Sequence, residues 1–545
     1  MNLPWIDQAV VVCYLVGITL IGVLSARHQG ESSARYFLAG RSLRWPTVGL
    51  ALFATNISTI HLIGLASSGF SDGMVVGNFE WLAAPLLILL GLVFAPFYFR
   101  NKISTLPEFL EGRFGPGSRT LLAIMAVFGA LFIHIGVTLY AGAVVIGSFT
   151  DMPILWAILF ISVLTMIYTV LGGLKAVVVT ESIQTIVLLA GALAVTLYSL
   201  RALGDSGITT IDELRAAARP EQLSMVRTSG GYSWYAMLLG YPVLGVWYWC
   251  SDQTIVQRVL GASSERDAQL GPIFAGFIKI LPVFVMVLPG VIAYVLFGDI
   301  IGDDPDSALP VLITELLPTG VRGIVIAGLL AALMSTVAGA LNSTSTLVSI
   351  DIVQRLRPDT TDLSLVRIGR FTTVIVMACA ILWSTQGERF GGIFAGINQM
   401  ISVLAPPISA VFVLGIFWRR GTSTAAFTTL AVGFAMGAFV FLVDFPAASS
   451  LVLGVDAEGQ PIQWITGSLG IPFMLQAWWL FVICSALFVT VSFLTPAPPA
   501  AQVERFCWDH PLSALRGPIQ GGLFDPRVLS MVLLAALTVC YLIFA

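Results

Sequence analysis

The chain has 545 residues, 57% of them hydrophobic and 10% charged, with a formal net charge of −3. A soluble globular domain carries about 25% charged residues, so this composition excludes a water-soluble fold. No basic stripe points to nucleic acid. The six cysteines (Cys13, Cys250, Cys379, Cys484, Cys507, Cys540) form no CxxC pair and the four histidines no HExxH, which argues against a zinc or iron–sulfur centre.

Apolar segments of membrane-crossing length, near the ~20 residues that a spanning helix needs, recur along the whole chain. They fall at roughly 5–26, 46–70, 79–99, 120–148, 154–172, 178–200, 233–256, 271–298, 320–350, 366–385, 392–418, 423–444, 471–494 and 526–545. The pattern predicts an all-α integral membrane protein of about fourteen transmembrane helices. The first segment is too long for a signal h-region and reads as a retained helix.

Charge in the connecting loops orients the spans. Basic residues follow every odd-numbered span: Arg27, Arg35, Arg41 and Arg44 after the first, and Arg100, Lys102, Arg113 and Arg119 after the third. Lys175 follows the fifth, Arg258 and Arg266 the seventh, and Arg355, Arg357, Arg367 and Arg370 the ninth. Arg419 and Arg420 follow the eleventh, and Arg505 and Arg516 the thirteenth. The loops at 298–320 and 445–470 carry no Lys or Arg. By the positive-inside rule both termini face outside. The loop at 201–232 balances four arginines with four acids, and a long loop of this kind constrains topology weakly.

Polar residues inside spans are costly and usually functional. The second span holds Phe53-Ala54-Thr55-Asn56-Ile57-Ser58-Thr59-Ile60-His61 before Gly64. The seventh holds Gly240-Tyr241-Pro242 and Gly245, ahead of Trp247-Tyr248-Trp249-Cys250-Ser251-Asp252-Gln253. Interrupted helices at corresponding positions of two halves are the best sequence pointer to a transporter site. Spans two to six and seven to eleven then form an inverted repeat, since an odd number of helices flips the second half. The alternative for each break is a Gly/Pro kink whose polar groups neighbouring helices satisfy. The expected organisation is an N-terminal helix and loop (1–45), a first five-helix repeat (46–202), an external loop (203–232), a second repeat (233–420) and additional C-terminal helices (421–545).

The stretch Tyr36-Phe37-Leu38-Ala39-Gly40-Arg41-Ser42, with Trp45 and Ala54 to Ser58, resembles the sodium:solute symporter family. Trp247 to Gln253 with Val256-Gln257-Arg258 looks like its sodium/glucose cotransporter branch, as do Phe79-Glu80-Trp81, Leu106-Pro107-Glu108-Phe109, Leu341-Asn342-Ser343 with Ser345-Thr346, and Ala405-Pro406-Pro407. The resemblance runs in order from about residue 35 to about 420. It implies a LeuT-type core of two inverted five-helix repeats, both termini outside, and Na⁺-driven uptake by alternating access.

The resemblance also implies a site. Its Na⁺ ligands map onto the carbonyls of Ala54, Ile57 and Ala332 and the hydroxyls of Ser335 and Thr336. A Ser-Thr pair in a membrane helix otherwise serves as helix–helix glue or bonds back to the previous turn. The second Na⁺ of some relatives would fall on Ala338, Gly339 and Glu181, which lack two hydroxyls and replace an Asp by Glu, so one Na⁺ per substrate is expected. Glu181 otherwise reads as a charge at a cytoplasmic helix end. The substrate positions map onto Asn56, His61, Glu80, Tyr248 and Lys279, with Phe79 and Trp249 as walls. Asn398 stands where sugar carriers commonly have Gln. The partners so implied are a sugar or polyol and the lipid bilayer, with no nucleic acid and no obligate protein partner evident, in a bacterial cytoplasmic membrane. An amino acid, carboxylate or sialic acid ranks below a sugar, because no arginine lies mid-span in the core. A membrane sensor and a membrane enzyme rank lower still, the latter for want of any catalytic motif.

Overall fold

The computed structural model describes residues 3–27, 29–150, 152–385, 393–510, 513–516 and 522–544. The first residue of the span expected at 392–418 lies outside them. Among the described residues the regular structure is helical, with no strand. Eleven helices are long and apolar enough to cross a membrane, twelve if the bent pair Trp45–Asn56 and His61–Ser71 is one span. Helix is what such a sequence must form in lipid, where each backbone N–H and C=O has to be satisfied within its own segment.

Most of the expected segments recur within a few residues. The segment at 320–350 is Val321–Gln354, that at 423–444 is Ser423–Asp444, and that at 471–494 is Phe473–Leu494. Three segments differ. The fifth and sixth form one 52-residue helix, Ile154–Asp205, turned at Gly173 (φ 53°, ψ −150°). A β-carbon at Gly173 would strike the Tyr36 carbonyl, and glycine alone tolerates that backbone at no steric cost. The seventh segment, Trp234–Gly245 continued by a π-helical stretch Val246–Ser251, is not among the spans that pass on apolarity, being rich in Trp and Tyr.

The second break also moves. The chain stays helical through Gly240-Tyr241-Pro242 and breaks ten residues later, at Asp252 (φ −82°, ψ 124°). Gly240 and Gly245 serve close approach instead: a β-carbon would meet the Met474 backbone at the first and the Leu86 side chain at the second. Asp252 sets the new break by accepting from the Thr254 N–H at 2.9 Å, as the N-cap of helix Gln253–Leu260.

Helix Val321–Thr346 is the central post, with every residue from Val325 to Thr346 buried. The first helix, Trp5–Ser25, is fastened to its N-terminus: the Asp7 carboxylate accepts from Gly320 N and Gly323 N, both at 2.7 Å. That places an anion where two orphan donors and the positive end of the helix dipole meet. Large apolar side chains such as Leu382 and Trp156 stay exposed on the outer helices, as lipid-facing residues would.

Two residues expected as loop charges are buried instead. The Arg113 guanidinium donates to the carbonyls of Gly415 (3.0 Å), Trp418 (3.1 Å) and Gly421 (3.1 Å), pinning a loop. Arg258 lies inside helix Gln253–Leu260 with no solvent exposure. The expected external loop contains a short helix, Ile211–Ala217, opened by a capping box between Thr210 and Glu213.

Candidate functional site

Helix Trp45–Asn56 stops at a dipeptide in extended conformation, Ile57 (ψ 99°) and Ser58 (ψ 174°), before helix Thr59–Ser71 resumes at a 59° bend. The last carbonyls before such a break lose their helical partners. The hydroxyls of the central helix face them. Ser335 Oγ donates to Ala54 O and Ala332 O, both at 2.8 Å. Thr336 Oγ1 donates to Thr55 O at 3.2 Å and to Ala332 O at 3.3 Å. Four of the five expected ion positions are thus joined by hydrogen bonds, and Ile57 sits buried at the break beside them. Thr55 is an addition, drawn in through its carbonyl. The set is all oxygen, uncharged and almost without exposure, which suits a hard monovalent cation held by unwound backbone.

Seven of the eight expected substrate residues line one cavity: Asn56, His61, Phe79, Glu80, Tyr248, Trp249 and Asn398. Thr336 of the oxygen cluster lines it too, so ion and solute positions adjoin. Asn56 Nδ2 donates to the Tyr248 hydroxyl at 3.1 Å, bridging the two interrupted segments. His61 Nδ1 lies 3.1 Å from Ser58 Oγ and closes a capping box on the helix that follows the break. Tyr248 and Trp249 pack edge to face, with ring centroids 5.1 Å apart.

Lys279 sits behind the wall. It neither snorkels nor reaches water: its Nζ lies 2.5 Å from Glu80 Oε2, and both side chains are no more than 2% exposed. The ammonium also lies 5.4 Å from the Trp249 ring centre and 5.8 Å from that of Phe53. Mutual attraction and the two ring faces offset the desolvation of both charges. Glu80 is buried on the short helix Asn78–Trp81, near the start of the span Met74–Arg100.

The cavity includes residues that sequence reasoning missed. His134 and Thr138 line it from the π-helical stretch Ala130–Val137 and the turn beyond, and Tyr241 and Leu244 from the seventh segment. His134 Nε2 lies 2.8 Å from Asp252 Oδ2, and Tyr241 Oη donates to Phe79 O at 2.6 Å. The available signal was position: an ionisable residue within an apolar span is functional by default, and His134 and Asp252 both qualify.

Glu181 is not a charge at a helix end but a fully buried carboxylate within Ile154–Asp205, about two turns beyond Gly173. Arg258 Nη2 lies 2.5 Å from its Oε1, and Thr55 Oγ1 donates to the same oxygen at 2.9 Å. Gly339 leaves room for this pair, since a β-carbon there would meet the Arg258 guanidinium.

A helical membrane protein whose two broken helices meet at a central polar cavity is built as a secondary transporter. The model of the sodium:solute symporter family matches residues 36–433, and the chain belongs to that family of Na⁺-coupled transporters. It is 32% identical to the sodium/glucose cotransporter 1 of Oryctolagus cuniculus, over 92% of this chain and 81% of that one. It is 34% identical to a sodium/mannose cotransporter of Bos taurus, over 95% and 92%, and 32% identical to sodium/myo-inositol cotransporter 2 of Bos taurus, over 92% and 78%. Its fold is similar to that of a Na⁺-coupled sialic acid symporter in a substrate-bound outward-open state, with a TM-score of 0.76 at 21% identity over 91% of this chain and 99% of that one.

Proposed function

We propose that this protein couples inward Na⁺ flow to the uptake of a sugar or polyol by alternating access, moving one Na⁺ with each substrate. The observation that carries the reading is the junction of two chemistries at one break. An oxygen-only cluster on Ser335, Thr336 and the carbonyls of Ala54 and Thr55 adjoins a cavity edged by Asn56, His61, Glu80 and Asn398 and walled by Tyr248 and Trp249. A sugar requires many hydrogen bonds and an aromatic face against its ring. Asn56, His61 and Asn398 donate to or accept from its hydroxyls, and Glu80, held in place by Lys279, accepts from one or two. Tyr248 covers the ring and must move, breaking its bond to Asn56, for release. Phe79 and Trp249 complete the wall.

Na⁺ is cargo here, not a resident cofactor. Ala54, Ile57, Ala332, Ser335 and Thr336 would hold it, and filling that site draws the broken helix onto the central helix beside the cavity. Substrate affinity is thereby linked to ion occupancy. A single ion per cycle is supported by Glu181, whose carboxylate is engaged by Arg258, and by Ala338 and Gly339, which offer no hydroxyl. One charge falling through 100 mV supplies ~2.3 kcal/mol, and a similar ion gradient brings the limit to roughly a thousandfold accumulation.

A sugar is favoured over an acidic solute because no arginine lines the cavity among the described residues. The mannose, glucose and myo-inositol carriers among its relatives support the same substrate class. The topology that goes with this reading has fourteen spans. It counts the bent pair Trp45–Asn56 and His61–Ser71 as one span, divides Ile154–Asp205 at Gly173 and takes the aromatic-rich Trp234–Ser251 segment as membrane-crossing. Both termini then lie outside a bacterial inner membrane, around a LeuT-type pair of inverted repeats at 46–202 and 233–420, with 1–45, 203–232 and 421–545 as additions.

The test is uptake of labelled hexoses, pentoses, inositol and proline into proteoliposomes, with and without an inward Na⁺ gradient. Accumulation of one sugar or polyol only with Na⁺ is expected. Uptake of proline alone, or of nothing under any gradient, would overturn the substrate class.

A further inference from the structure

Below the oxygen cluster the central helix turns polar where a buried helix would pack better as hydrocarbon. Asn342-Ser343-Thr344-Ser345-Thr346 are five consecutive polar residues, each no more than 1% exposed. Thr344 and Thr346 bond back to the carbonyls of Ala340 and Asn342, both at 2.8 Å. Asn342 does not: both ends of its amide lie buried with no partner among the described residues. The Ser349 hydroxyl, one side-chain end of Gln253 and one of Gln257 share that condition. A buried polar group without a partner loses the hydration it had in water, so four such residues call for an explanation.

Their placement offers one. Ser335 and Asn342 are seven residues apart on the α-helix, two turns and about 10 Å, and so share one face, while Ser349 follows seven residues further on, in the π-helical continuation Leu347–Gln354. Gln253 and Gln257 belong to Gln253–Leu260, the helix beyond the break at Asp252, which closes against this half of the central helix. The closure is polar: Gln257 Nε2 donates to Thr346 Oγ1 at 2.7 Å, and Thr254 Oγ1 lies 3.4 Å from Ser343 Oγ. A short set of contacts seals the far end. Leu106 N donates to Gln253 Oε1 at 2.9 Å, while Thr105 Oγ1 (2.8 Å) and Arg119 Nε (2.7 Å) both reach Asp351.

We propose that this seam is the route by which the coupling ion leaves toward the membrane face bearing Thr105, Arg119 and Asp351, with Asn342 as a transient ligand below the main site. The inference rests on the Na⁺-symport reading. In the conformation shown here those contacts close the seam, leaving the Asn342 amide and one side-chain end each of Gln253 and Gln257 without a partner among the described residues. Parting of Gln253–Leu260 from the central helix hydrates them, and the Asn342 carbonyl oxygen meets the ion one step below Ser335. Glu181, already engaged by Arg258, takes no part.

Two variants in proteoliposomes test the route. Asn342→Leu keeps the branched heavy-atom shape and removes the ligand. Net Na⁺-driven sugar uptake should fall by about tenfold or more. Sugar exchange with saturating Na⁺ on both sides, which needs no ion release, and half-saturation by external Na⁺ should both hold within about twofold of the wild type. Ser349→Cys, read against the wild type with its native cysteines, should react with a membrane-impermeant cationic thiol reagent only from the face bearing Asp351, and Na⁺ on that face should protect it. The route is overturned if Asn342→Leu slows uptake and exchange equally, if it slows neither, or if the cysteine stays unreactive under every condition. A wild-type protein that shows no Na⁺-dependent uptake would overturn the symport reading and the route together, which separates the two failures.

Discussion

Replacing Ser335 by alanine removes one oxygen from the cluster at the first break and leaves the rest in place. That hydroxyl donates to Ala54 O and Ala332 O, both at 2.8 Å. Losing one such neutral bond should lower stability by about 1 kcal/mol. With the ion present the loss is larger. The hydroxyl then accepts the cation, and an interaction with a charged group contributes ~1.5–3 kcal/mol, or about tenfold to over a hundredfold in affinity. The expected result for Ser335→Ala is therefore a Na⁺ half-saturation raised at least about tenfold, with sugar accumulation lost at ordinary Na⁺ and partly restored at high Na⁺. The assay is initial-rate uptake against Na⁺ concentration, paired with melting temperature against Na⁺, since an ion that binds only the folded state raises stability by mass action. An unchanged Na⁺ dependence in both measurements would refute the assignment of the cluster. A loss of folding without added Na⁺ would show that the hydroxyl serves packing instead.

Breaking the Glu80–Lys279 pair from one side should be harsher than removing it. Glu80→Gln or Lys279→Met alone leaves an uncompensated buried charge, with an expected loss of ~3–5 kcal/mol, whereas the double variant should recover much of the melting temperature without recovering uptake. The same logic applies to Glu181 and Arg258: Arg258→Met should destabilise strongly and Glu181→Gln in that background should rescue, while the Hill coefficient for Na⁺ stays near one. A Hill coefficient rising toward two in the double variant would count against a single ion. Asn398→Gln lengthens one cavity edge by a methylene and should reorder the ranking of hexoses, pentoses and polyols in competition uptake, leaving Na⁺ affinity unchanged. An unaltered ranking would remove Asn398 from the substrate site.

How much of this was legible in advance follows from which properties are local. Hydropathy is a sum over neighbours in the chain, and in a bilayer it translates directly into helix because no other structure satisfies the backbone. So the spans at 320–350, 423–444 and 471–494 came within a few residues of those observed, and the polar interruption at Thr55 to Ser58 was visible as an interruption. The family motifs carried the site residues as expectations, and the structure gathers seven of the eight substrate positions at one cavity.

What the chain could not disclose locally was what its glycines and charges would meet. A glycine that unwinds a helix and one that admits a neighbouring backbone look identical in sequence. Gly240 proved to be the second kind, and the break fell instead at Asp252, where a capping carboxylate also reaches His134. Lys279 could have snorkelled, Arg258 could have been a loop charge, and Glu181 could have faced the cytoplasm. Each was decided by a partner far away in sequence, Glu80 for the lysine and Glu181 and Arg258 for each other. A buried charge is tolerable only when its counter-charge arrives with it, and only the tertiary packing of helices brings the two together.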